Sequence, residues 1–75
     1  MTIAEQIKFF HTELNKNDLS LKIKNINDLE AECTRKAISS NLDDDQATKM
    51  YKFSDKSILI IVYSTAELFV YSANQ

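Results

Sequence analysis

Seventy-five residues, 44% of them hydrophobic and 27% charged, suffice for one small folded core and are too few for two. Nine basic against eleven acidic residues leave a formal charge of −2, which supplies no general attraction to nucleic acid or to an anionic membrane surface. The single cysteine, Cys33, excludes an intrachain disulfide and a thiolate zinc site within one copy, and the absence of glycine excludes the Walker and dinucleotide phosphate loops.

The opening stretch, MTIAEQIKFF, mixes Glu5 and Lys8 with apolar residues and lacks the layout of a signal peptide. Ile3, Ile7, Phe10 and Leu14 recur at spacings of four, three and four, which predicts an amphipathic helix over residues 2–16. Thr2 and Glu5 have the spacing of a capping box, and the helix is expected to stop near Asn15 to Asn17. Phe9 falls off the apolar face.

From Leu19 the period changes to two. Leu21 and Ile23 alternate with Lys22 and Lys24, the pattern of a half-exposed edge strand. A second capping box, Asn27 with Glu30, opens a predicted helix over 28–40 whose inward side is Leu29, Cys33 and Ala37, with Ile38 outside that stripe. Residues 42–46, LDDDQ, read as a loop or the polar start of the next element.

The last third predicts a β-meander, Thr48 to Ser54, Ser57 to Tyr63 and Glu67 to Ser72. Its centre, Ile58 to Val62, is an unbroken aliphatic run of the kind covered on both faces. A two-residue turn at Asp55 and Lys56 and a three-residue turn over Ser64 to Ala66 put Tyr51, Phe53, Ile58, Ile60, Val62, Leu68 and Val70 on the face that receives the helices. The opposite face then carries Met50, Lys52, Leu59, Ile61, Tyr63, Glu67, Phe69 and Tyr71. With no glycine in the chain, left-handed backbone positions are expected at Asn15, Asn17, Asn25, Asn41 and Asp55. The predicted fold is two-layer α+β, with two helices on one face of a three- or four-stranded, mainly antiparallel sheet.

No constellation points to catalysis. His11 has no second ligand four residues away, Cys33 reads as a small buried hydrophobe rather than a nucleophile, and no serine sits in a nucleophile motif. Asp43, Asp44 and Asp45 lack the alternation, glycine and terminal Glu of a calcium loop, so they read as a solvated acidic loop or a contact for a basic partner. A chain this short buries only about 60% of its unfolded surface, so a partner or a second copy is expected to add burial. No cofactor, metal, membrane or small-molecule substrate is implied.

The expectation is a non-enzymatic, cytoplasmic protein-binding module. Its concrete form is an inhibitor or modulator from a phage or mobile element, or a homodimeric adaptor, given small size and an Asn-, Lys- and Ile-rich composition. Its contact residues are expected to be Leu59, Ile61, Tyr63, Phe69 and Tyr71 on the sheet and Asp43, Asp44 and Asp45 on the loop. The alternative is a nucleic-acid binder, with Lys22, Lys24, Lys49, Lys52 and Lys56 along a sheet edge and aromatic rings for stacking.

Overall fold

Thr2 starts the first helix as its sequence suggests. In the computed structural model, which describes residues 1–72, its hydroxyl accepts from the Glu5 N–H and the Glu5 carboxylate accepts from the Thr2 N–H. The helix, α1 (Ile3–His11), is shorter than expected. It ends because Thr12 is extended at φ −124°, ψ 156°, with its hydroxyl donating to the Lys8 carbonyl at 2.6 Å. The chain then runs straight into β1 (Thr12–Leu14), which pairs antiparallel with β2 (Leu21–Ile23). Phe10 and Leu14, expected inside, are therefore exposed, and the inward side of α1 is Ala4 and Ile7 supported by Ile3.

The second helix, α2 (Ile26–Lys36), is capped by Asn25, whose side chain accepts from the Asp28 N–H, rather than by Asn27. Leu29 and Cys33 are buried and Ala37 packs beside them, as the small-residue stripe implies; Ile38 is exposed.

The main sheet has four antiparallel strands in sequential order: β3 (Ser39–Asp43), β4 (Thr48–Lys52), β5 (Ile58–Val62) and β6 (Glu67–Tyr71). The segment LDDDQ, expected to be a loop or the polar start of the next element, instead ends an edge strand with Leu42 and Asp43 and continues into the turn after it. The outcome is α+β, with Ala4, Ile7, Leu29 and Cys33 of the helices packed on Tyr51, Phe53, Leu59 and Ile61 of the sheet.

The register corrects the expected faces. Tyr51 stands opposite Leu59 and Leu59 opposite Val70; Ile61 stands opposite Leu68. The β4–β5 loop has three residues rather than two: the Phe53 N–H donates to the Ser57 carbonyl, the Lys56 N–H to the Phe53 carbonyl, and Lys56 is left-handed at φ 72°. The β5–β6 loop, following the Val62–Glu67 pair, has four. Each hairpin is one residue longer than expected, so β4 and β6 keep their faces and β5 turns over. Leu59 and Ile61 enter the core at 0% exposure, while Ile58, Ile60 and Val62 move to the outer side.

Among the described residues the left-handed positions are Leu19, Ala47, Lys56 and Ala66, not the expected asparagines and aspartate. Asn15, Asp43 and Asp55 instead open the turns, each accepting from a backbone N–H two or three residues on. The left-handed step then falls on later residues of the same connections.

Candidate protein-binding surface

Both helices pack on the Tyr51 side of the sheet, which leaves the other side facing outward. Its middle row, read across three strands, is Met50, Ile60 and Phe69, and the next is Lys52, Ile58 and Tyr71. The third is Thr48, Val62 and Glu67. Phe69 is 42% exposed and Tyr71 56%, with Met50 also open to solvent and Ile58, Ile60 and Val62 half-buried by their neighbours. This is a continuous apolar and aromatic strip with a charge or hydroxyl at its corners, the composition of the centre of a protein interface.

Of the residues expected to form the contact, Phe69 and Tyr71 lie on this face. Leu59 and Ile61 do not, because the longer hairpin loops bury them. Tyr63 belongs elsewhere too: it packs partly against the core and its hydroxyl donates to Glu30 on α2 at 2.5 Å. Burial and that bond to a carboxylate raise its pKa, so it remains a neutral donor that ties the end of β5 to the helix. Ile58, Ile60 and Val62 were missed as surface residues; the only signal for them was a turn length that no glycine marked.

Asp43, Asp44 and Asp45 close β3 and begin its turn to β4. Asp43 accepts from the Gln46 N–H at 3.2 Å and the Asp44 carbonyl from the Ala47 N–H at 3.4 Å, and all three are exposed. Among the described residues no group of three His, Cys, Asp or Glu side chains is placed to hold a metal ion. The Asp43–Thr48 pair puts the loop beside the Val62–Glu67 end of the outer face.

The lysines proposed for a nucleic-acid edge are dispersed. Lys22 and Lys24 belong to the β1–β2 hairpin region, Lys49 lies on the helix side 5.3 Å from the Tyr51 ring centre, Lys52 is on the outer face and Lys56 is in a loop.

His11 and Glu32 join the helices. The imidazole Nε2 lies 2.5 Å from the Glu32 carboxylate, whose second oxygen receives Lys36 at 2.7 Å. Lys36 first and His11 second lower the Glu32 pKa. Cys33 is fully buried, and desolvation, with Glu32 and Glu30 nearby, pushes its thiol up to about 12. A groove of about 480 Å³ between α1, the small hairpin and β6 is lined by Phe9, Leu14, Leu21 and Val70, and Phe9 is 67% exposed there.

No family model, curated protein or solved structure matches the chain, so its fold and surfaces carry the functional argument alone. No helix among the described residues is long and apolar enough to cross a membrane.

Proposed function

We propose that the chain is a non-enzymatic protein-binding module whose outer sheet face docks on another protein. The observation that carries this reading is the Met50–Ile60–Phe69 row with Ile58 and Tyr71 beside it, an apolar surface on the side of the sheet away from both helices. Phe69 and Tyr71 supply rigid aromatic area along β6, beside the aliphatic Ile58 and Ile60, and Lys52, Thr48 and Glu67 a polar rim, the residue types in which interface energy concentrates. The acidic turn at Asp43 to Asp45 adds a contact for a basic rim on the partner. Size and composition support the concrete form, a cytoplasmic inhibitor, modulator or adaptor of the kind that phages and mobile elements encode.

The test is affinity capture from native cells with the wild-type chain and with Phe69→Asp, after thermal melts have shown both to be folded. A partner held by the wild type and lost by Phe69→Asp supports the reading. Equal capture by the two chains removes the face from consideration.

A further inference from the structure

The two edges of the main sheet differ. At β6, helix α1 and strand β2 come alongside; at β3 all five residues are exposed. Natural edges are guarded by lysine, proline, bulges or covering segments, because a bare strand edge is a template for another strand. The strand β3, SSNLD, has neither lysine nor proline, and its pairing with β4 runs through five consecutive positions from Ser39–Lys52 to Asp43–Thr48.

Charge is segregated along the outer face of this edge; Lys49, paired with Leu42, lies on the helix side. Lys52 is paired with the strand's first residue, Ser39, and is the basic group of that end; Arg35 and Lys36, which close α2 just before the strand, are both engaged by Glu32. Asp43, Asp44 and Asp45 stand at the other end. Such an edge is complementary to itself when reversed: its basic end meets an acidic end and its acidic end a basic one. A parallel copy would instead set the two aspartate runs together, which like-charge repulsion opposes.

We infer that β3 is the interface for a second copy of this chain, paired antiparallel about a two-fold axis at Asn41. Ser39 of each copy then faces Asp43 of the other. Ser39, Asn41 and Asp43 share the outer face with Lys52, Met50 and Thr48, so Asp43 of the second copy comes to the same face as Lys52, one strand removed. Strands about 4.8 Å apart place those two α-carbons roughly 10 Å from each other, within reach of an extended lysine and an aspartate. On the helix side, Ser40 of the second copy comes opposite the exposed Leu42. The product is an eight-stranded sheet with the two outer apolar faces side by side. This pairing shares Lys52 and Asp43 with the rim of the outer face but uses none of its apolar Met50–Ile60–Phe69 row, so Phe69→Asp separates the two.

The experiment is sedimentation equilibrium of the full chain over a wide concentration range. The wild type is expected to show a reversible monomer–dimer equilibrium. Asp43→Lys alone and Lys52→Asp alone each turn two attractions into two repulsions and weaken dimerisation by about tenfold or more. An equimolar mixture of the two variants restores dimers, and so does the double variant in one chain, which excludes misfolding as the cause of the loss. Phe69→Asp leaves the dimer constant unchanged. The inference is overturned if the wild type stays monomeric throughout, if the single reversals leave the constant unaltered, if neither combination restores it, or if Phe69→Asp abolishes the dimer.

Discussion

The buried Ser57 hydroxyl accepts the Ala4 N–H at 3.2 Å, joining the loop between β4 and β5 to the first turn of α1. The same hydroxyl donates to Asp55, whose other oxygen accepts the Ile3 N–H at 2.8 Å. With Thr2 taking the Glu5 N–H, the leading donors of the helix are satisfied in succession by Asp55, Ser57 and Thr2. A carboxylate here also complements the positive end of the helix dipole.

Ser57→Ala removes an acceptor from a site with no exposure and leaves the Ala4 N–H unpaired. The expected loss is about 1–3 kcal/mol in denaturant unfolding, with the slope of the transition unchanged.

Asp55 makes part of the stability depend on pH. Its bond from Ser57, then the bond from Ile3, lower its pKa below the ordinary aspartate value. The unfolded chain therefore binds more protons across that interval, so this contribution is complete above the unfolded pKa of about 4 and disappears as the pH falls through the folded value. Chemical denaturation of Asp55→Asn is expected to show a smaller loss of stability between about pH 5 and pH 2 than the wild type; identical curves would show that the carboxylate is not charged in this role.

Adjacent isoleucines on β5 give a direct test of the register. Ile61 is fully buried and Ile60 is on the outer face. Ile61→Ala is expected to cost about 2–5 kcal/mol by cavity formation, and Ile60→Ala about 1 kcal/mol or less. The reverse order would put β5 back on the faces its hairpins were first expected to give it.

Among the described residues, four take positive φ without being glycine, including Lys56 at 72° and Ala47 at 53°. A β-carbon in that region costs about 1–2 kcal/mol, part of which glycine returns as unfolded-chain entropy. Lys56→Gly and Ala47→Gly are each expected to raise the stability by about 0.5–1 kcal/mol, read as a higher melting temperature.

Cys33 has no exposure and a thiol raised to about 12. Its labelling by a thiol reagent at neutral pH is expected to follow the fraction of unfolded chain, rising with denaturant in step with the circular dichroism transition. Fast labelling of the native protein would contradict the burial.

What was legible in the sequence was local. Thr2 and Glu5 are a self-contained cap, and Leu29, Cys33 and Ala37 form a stripe that any helix over that stretch would bury. The end of α1 was not legible, because Phe10 and Leu14 continue the helical spacing while Thr12 turns the backbone extended to enter β1. β3 carries little strand propensity in SSNLD and is a strand because β4 pairs with it, a case of tertiary context overriding composition. The register was hidden for a third reason. Leu59 and Ile61 are no greasier than Ile58, Ile60 and Val62, so alternation along β5 contains no preference for either side, and the loops that decide the matter lack the glycine that would have displayed their length.

It follows that the polar corner at Asp55 and Ser57, rather than aliphatic burial, chooses which way β5 looks. A single residue inserted between Ser54 and Ser57 has two outlets. Either a longer turn keeps the pairing, or the hairpin slides by one place, presents an equally oily flank to the helices and carries the anchor away from the start of α1. The chain therefore keeps two cores within one step of each other and holds them apart with a serine and an aspartate.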